Sequence, residues 1–234
     1  MNKDKLKYYT YQLDMTILNI FAILLFVIMM IVVYFVGYGF IGITNYDLLL
    51  LFIFMFIWLM IHEVFHGIGF SLFDEVNKKN IVFGMALEKG VFYCMCKQKI
   101  SKKVIFTSLL FPVTIIGIIT MILGIIINNG MLVYLSIFNI VGSVGDIVMS
   151  IYFCKCPSDV IYLDLDDCTG FTVLSKNDLS NISVPGIKLV DSGIYNSKKM
   201  VARDKRRIVI SKMSWIVLVI MFILILIKIM GGVL

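Results

Sequence analysis

The chain has 234 residues, of which 60% are hydrophobic and 15% are charged, and its formal net charge is +6. That balance lies outside the range of soluble globular domains and indicates a membrane protein. Most of the positive charge falls in loops that we assign below to the anionic cytoplasmic face, so it predicts no nucleic-acid partner.

Five stretches are apolar and long enough to cross a hydrocarbon core of about 30 Å. They run approximately over residues 15–36, 48–72, 104–127, 131–154 and 208–230. We therefore predict an all-α polytopic membrane protein with about five transmembrane helices, a small cytoplasmic β hairpin and a small cytoplasmic segment. The predicted parts are an N-terminal tail with the first anchor helix (1–47), a three-helix membrane core (48–156), a cytoplasmic segment (157–207) and a C-terminal transmembrane helix (208–234).

The distribution of lysine and arginine predicts the orientation of these spans. Three lysines precede the first span, seven lie between the second and third spans, and ten basic residues lie from Lys155 to Lys212. The loops at 37–47 and 128–130 hold none. By the positive-inside rule, the N-terminus is cytoplasmic and the C-terminus is outside. We expect a multi-pass protein of a bacterial cell membrane, embedded in the lipid bilayer, and the sequence leaves its oligomeric state open.

The second span contains both histidines of the chain, His62 and His66, with Glu63 beside the first. Residues four apart share one face of a helix, so the two imidazoles suit one zinc ion. The adjacent glutamate suits a general base that acts on a zinc-bound water. Ionisable groups at membrane depth are costly, which favours a functional site. The alternative is a pair of buried histidines that hydrogen-bond to neighbouring helices, with Glu63 as a partner.

Between the second and third spans, residues 81–87 and 91–96 are short apolar runs on either side of a glycine-containing turn. This pattern predicts a β hairpin. The hairpin is either a plain surface feature or an edge to which an unwound substrate adds as a strand. Pro112, near the start of the third span, predicts a break or kink there.

The fourth span supplies a candidate third ligand. A catalytic zinc usually takes three protein ligands, and a carboxylate must complete the site because the chain has no third histidine. Asp146 is the only acidic residue in the spans besides Glu63. At about 1.5 Å per residue, His66 and Asp146 both lie about 12–14 Å from the cytoplasmic boundary. We therefore predict His62, His66 and Asp146 as the metal ligands.

Small and polar residues surround Asp146. Gly142, Ser143 and Gly145 predict that this helix approaches a neighbour closely. Asn139 lies seven positions before Asp146, on the same face, and with Ser143 it is a candidate to contact the substrate or to hydrogen-bond a metal ligand. The alternative is a packing seam in which Asn139 bonds the carboxylate of Asp146.

The soluble segment contains two predicted strands, at residues 160–163 and 171–174, around a turn with three aspartates. We interpret this turn as solvated, with a calcium site as the alternative. A segment of this size cannot rely on a large core of its own, and we expect it to regulate access or to bind a partner.

The five cysteines allow a second metal hypothesis. They are Cys94, Cys96, Cys154, Cys156 and Cys168. An odd number in a reducing compartment argues against a disulfide framework. The two Cys-x-Cys pairs either form a four-thiolate zinc site or are ordinary small apolar residues.

The two membrane motifs resemble those of the site-2 protease clan of intramembrane metalloproteases, and most closely the putative zincin peptidase family. The resemblance covers about residues 48–156. The residues that carry it are His62-Glu63-x-x-His66-Gly67 and Asn139…Gly142-Ser143-x-Gly145-Asp146. It implies zinc as the cofactor, His62, His66 and Asp146 as its ligands and Glu63 as the base. Site-2 proteases commonly carry Leu-Asp-Gly at the second motif, whereas here Gly145 precedes the aspartate and Ile147 follows it.

The predicted function is a zinc-dependent intramembrane metalloprotease that hydrolyses a membrane-protein or peptide substrate in or near the bilayer. The alternative is a catalytically silent membrane scaffold or sensor that retains the metal site. A metal-ion transporter is a weaker third hypothesis, because no other ionisable residues in the spans would form a path.

Overall fold

A computed structural model describes residues 6–37, 45–86, 91–164 and 170–196 of the chain. This part combines helices with a five-stranded antiparallel sheet and a separate two-stranded sheet. The all-α prediction is therefore wrong, and the fold is mixed α/β. The predicted fifth span, the basic cluster at 203–207 and Cys168 lie outside the described residues.

The fold begins with strand β1 (Lys7–Leu13), in which Tyr9 and Tyr11 alternate with more exposed residues and are buried. Helix α1 (Met15–Phe35) follows after one residue, Asp14. The carboxylate of Asp14 accepts hydrogen bonds from the backbone N–H groups of Thr16 and Ile17. This is a helix N-cap, so a soluble strand passes directly into a membrane helix.

The later spans are helical but not uniform. They comprise α2 (Asn45–Ser71), then α3 (Lys102–Pro112), a π-helical segment (Val113–Ile119) and α4 (Thr120–Ile126), and then α5 (Gly130–Gly142) and α6 (Val144–Lys155). Among the described residues, Met15–Phe35, Leu51–Ser71 and Lys102–Ile126 are each long and apolar enough to cross a membrane, which makes this a membrane protein. Helices α5 and α6 form a fourth candidate, bent by 49°.

The predicted hairpin is confirmed as β2 (Ile81–Ala86) and β3 (Val91–Cys96), paired antiparallel from Ile81↔Cys96 to Ala86↔Val91. It packs against α2 just beyond the histidine motif. A Cβ on Gly67 would lie 2.4 Å from the ring of Phe83, so only glycine permits this approach without displacing the ring.

The larger sheet has the strand order β4-β5-β6-β1-β7, with β4 at Ile100–Ser101, β5 at Ile161–Asp164, β6 at Gly170–Ser175 and β7 at Ile187–Ile194. The two strands predicted in the soluble segment are confirmed as β5 and β6. The N-terminal strand was missed because its partners are distant in sequence, as in the pair Lys7↔Ser175. A short half-buried strand of this kind gives little signal beside five apolar spans.

A hydrophobic core joins this sheet to the membrane helices. The ring centroid of Tyr152 in α6 lies 4.8 Å from that of Tyr11 in β1 and 5.5 Å from that of Phe171 in β6. Val104 and Ile105 of α3 belong to the same buried cluster. The sheet is therefore packed against the N-terminal part of α3 and the C-terminal part of α6.

Candidate metal centre

The three predicted metal ligands meet at one point inside the protein. His62 and His66, one turn apart on α2, are both buried, and their Nε2 atoms lie 3.0 Å apart. Asp146, in the first turn of α6, places Oδ2 3.2 Å from Nε2 of His62 and 3.5 Å from Nε2 of His66. Two imidazole nitrogens and one carboxylate oxygen thus form a small triangle.

The size of this triangle is close to that of one face of a zinc coordination sphere, and slightly smaller on two of its edges. Zinc bonds to histidine nitrogen and carboxylate oxygen of about 2.0–2.2 Å at tetrahedral angles give ligand separations of about 3.3–3.6 Å. The observed separations are 3.0, 3.2 and 3.5 Å. The donor set of two imidazoles and a carboxylate is also one that catalytic zinc sites use. The residues present therefore fit a zinc ion with one ligand position left over.

The other ring nitrogen of each histidine is held by an acceptor. His62 Nδ1 lies 2.9 Å from Oδ1 of Asn139, and His66 Nδ1 lies 2.9 Å from the backbone carbonyl of Ser108. Asn139 Nδ2 donates to the carbonyl of Pro112 at 3.3 Å, which orients the amide so that its oxygen faces His62. Each Nδ1 therefore carries the proton and donates, and Nε2 is directed at the triangle, as in many metal-binding histidines.

This protonation pattern argues for a cation in the triangle. With Nδ1 protonated, a neutral imidazole has only its lone pair on Nε2. The two Nε2 atoms and the Asp146 oxygen would then be three acceptors within 3.5 Å of one another, with no proton between them. A metal ion satisfies all three at once. The alternative is protonation of one histidine, which makes a buried ion pair with Asp146.

Glu63 stands beside the triangle rather than within it. Its carboxylate oxygen and the ligand nitrogens of His62 and His66 all lie within 4.8 Å of one another. Cys94, in β3, lines a cavity together with Glu63. The glutamate thus lies next to the hairpin, at a distance suited to a water molecule next to the metal.

Close contact between α2 and α3 brings Ser108 to His66. A Cβ on Gly69 would lie 2.8 Å from Cα of Ser108, so glycine is required at this crossing. Ser108 is fully buried, and its hydroxyl donates back to the carbonyl of His66 at 2.9 Å. Neither Gly69 nor Ser108 was identified from the sequence, because the contact to His66 uses a backbone carbonyl that every residue possesses.

The glycines near Asp146 have a different role from the predicted one. A Cβ on Gly145 would meet no atom within 4 Å, and one on Gly142 would only touch Leu59 at 4.0 Å. These glycines line a cavity instead of a close helix contact. Ser143 lies at the 49° bend, where its hydroxyl donates to the carbonyl of Asn139 at 2.7 Å. Its observed contact is therefore with the helix backbone.

The cavity in front of the triangle has a volume of about 220 Å³. The motif residues His62, Glu63, His66 and Asp146 form one wall. Residues from β3 (Phe92, Tyr93, Cys94, Met95) and from the large sheet and its ends (Leu13, Tyr162, Asp164, Gly170) form others. The sequence did not predict these last four, which become neighbours only when the sheet forms.

The four described cysteines do not gather into a second metal site. No group of three or more metal-ligating side chains found in the described ranges includes a cysteine. Burial raises the pKa of the Cys94 thiol, and the nearby charge of Glu63 raises it further. Burial likewise raises the pKa of Cys96 to about 11. Both thiols stay protonated at neutral pH, as expected for small apolar residues.

Comparison with known proteins identifies a family for this region. Residues 55–161, which include all four motif residues, match the family model described as putative zincin peptidase. The resemblance to this family is thereby confirmed, and the match suggests a metallopeptidase with zinc as its metal. No curated protein and no solved structure matches the chain.

Proposed function

We propose that the protein is a zinc-dependent peptidase of the site-2 protease type, which cleaves a peptide bond of a membrane-protein or peptide substrate at the membrane. His62, His66 and Asp146 would hold the metal, and Glu63 would act as the general base. The observation that carries this proposal is the triangle of acceptor atoms 3.0–3.5 Å apart, with both Nδ1 protons already donated elsewhere.

The chemistry divides between the metal and Glu63. A bound zinc would supply Lewis acidity, which polarises the scissile carbonyl and acidifies the attacking water. Glu63 accepts the proton of that water and passes it to the leaving amine. Asn139 and Ser108 keep the imidazoles in the tautomer that binds metal.

The cavity supports binding of an extended peptide. Residues 92–95 of β3 line it, and β3 is an element of a two-stranded sheet. A peptide in extended conformation can add to such a sheet through main-chain hydrogen bonds. A helical substrate would have to unwind locally first, because helical hydrogen bonds protect its peptide bonds.

Glu63→Gln separates an enzyme from a silent scaffold. The amide has nearly the shape of the carboxylate but negligible basicity, and loss of a general base costs roughly 100-fold or more in rate. We expect this variant to retain zinc and to lose cleavage. Membrane proteins from cells that express wild type, Glu63→Gln or no protein would be compared by quantitative mass spectrometry for a fragment made only by wild type.

Glu75→Gln is the matched control, because Glu75 is exposed and bonds Ser101 outside the cavity. It should yield the same fragment as wild type. A Glu63→Gln variant that matches wild type in every fragment would exclude the protease and leave the scaffold.

A further inference from the structure

The third span orients both histidines, His66 directly and His62 through Asn139 of α5. The acceptor for His66 is the carbonyl of Ser108 in α3. The acceptor for His62 is Asn139, whose amide is in turn held by the carbonyl of Pro112 at the end of α3. The two contacts therefore converge on Ser108 and Pro112, which lie four positions apart in one helix.

The carbonyl of Ser108 is available because of the residue four positions later. In an α-helix the carbonyl of residue 108 would accept the N–H of residue 112. Residue 112 is proline, which has no N–H. The next N–H, that of Val113, donates to the carbonyl of Leu110 instead. The Ser108 carbonyl can thus accept from His66 Nδ1 at 2.9 Å without competition from residue 112 or 113.

The same proline marks a change of helix type. The segment Val113–Ile119 is π-helical, a form that often occurs at functional sites. Gly117 of this segment faces Asn139, and a Cβ there would lie 3.3 Å from Asn139 Nδ2. The altered backbone and the small residue bring the Asn139 amide within 3.3 Å of the Pro112 carbonyl. Pro112 thus supports the His62 contact through its carbonyl and the His66 contact through its missing N–H.

We propose that Pro112 is a positioning residue of the metal centre, which leaves the Ser108 carbonyl available to His66 and anchors Asn139 for His62. This inference rests on the proposed function, since it assigns a role toward the metal that His62, His66 and Asp146 would bind. Pro112 is buried and is absent from the lining of the cavity, so it acts through the histidines and not on substrate.

The test is to restore the N–H and to measure zinc binding directly. In Pro112→Ala the new N–H competes with His66 for the Ser108 carbonyl, while the carbonyl of residue 112 is retained. Loss of a hydrogen bond to a metal-binding histidine typically weakens metal affinity by about 10–100-fold. We expect a weakening of this size for the full-length protein in detergent, measured by competition with a zinc chelator. The visible spectrum of the Co²⁺-substituted protein should also change, because it reports ligand geometry.

A backbone ester provides the matched control. Lactic acid incorporated at position 112 has the side chain of alanine but no N–H, so it should restore wild-type zinc affinity and the wild-type Co²⁺ spectrum. Equal affinity of wild type and Pro112→Ala would overturn the inference, and so would equal weakening in the alanine and ester proteins. If the wild-type protein itself bound no zinc, the proposed function would be wrong. Failure of the proposed function is thereby distinguished from failure of the role proposed for Pro112.

Discussion

Substituting alanine for Gly69 should weaken zinc binding although it changes none of the proposed metal ligands. The new Cβ would lie 2.8 Å from Cα of Ser108 and 3.3 Å from Cβ of Phe111. Ordinary contact begins at 3.4 Å, so α2 and α3 must separate by about 0.6 Å. The bond from His66 Nδ1 to the Ser108 carbonyl would lengthen from 2.9 Å to about 3.5 Å, at the limit of a hydrogen bond.

The expected loss follows from that bond. Removing the orienting partner of a ligating histidine typically costs about 10–100-fold in metal affinity, which is about 1.4–2.7 kcal/mol. Crowding at the helix crossing should also lower the stability of the protein by about 1–3 kcal/mol. Chelator competition on the purified protein measures the first effect, and thermal unfolding without metal measures the second.

Gly145→Ala is the matched control for Gly69→Ala. Both glycines are helical, but a Cβ on Gly145 would meet no atom within 4 Å. We expect Gly145→Ala to bind zinc as wild type does. A folded Gly69→Ala protein with wild-type zinc affinity would show that the contact between Ser108 and His66 does not support the metal centre.

Two further predictions concern the metal and the membrane. Purified wild type should carry about one zinc per chain by elemental analysis. His62→Ala or His66→Ala should lose most of this zinc. Asp146→Asn should bind zinc more weakly, because a neutral amide is a poorer ligand than a carboxylate. Wild type without metal after purification in the absence of chelators would contradict the proposed site. In a cysteine-free background, Ile127→Cys should react with an impermeant thiol reagent added to intact cells, and Lys176→Cys should not. The opposite labelling pattern would show that the protein has the opposite orientation in the membrane.

The sequence is informative about local features of the candidate site. The spacing of His62 and His66 is sufficient to place both imidazoles on one helix face, because that depends only on helix geometry. Asp146 was found because ionisable residues are rare in the spans. The family match covers all three of these residues, and the structure brings their ligand atoms together.

The residues that support the ligands were harder to predict. Ser108 acts through its backbone carbonyl, and Gly69 acts through the absence of a side chain at one crossing. Such roles depend on which helices touch, which the apolar pattern of a membrane span does not specify. The large sheet was missed for a related reason, since β1 pairs with β6 and β7, more than 150 residues away.

That sheet also bears on how the chain crosses the membrane. Strands β1, β4 and β5 all belong to it, so residues 7–13, 100–101 and 161–164 must lie on one side of the bilayer. Two spans, α1 and α2, separate β1 from β4, which satisfies this condition.

Between β4 and β5 the chain has one straight span, Lys102–Ile126, followed by the bent pair α5 and α6. If that pair were a re-entrant loop, β5 would lie on the opposite side from β4 and could not join its sheet. The pairing of Ile100 with Tyr162 therefore supports a full crossing by α5 and α6, bent at Ser143. It follows that α2 and α6 run in the same direction. The lysine and arginine distribution then predicts that the sheet, and with it the wall of the cavity that the sheet forms, lies on the cytoplasmic side.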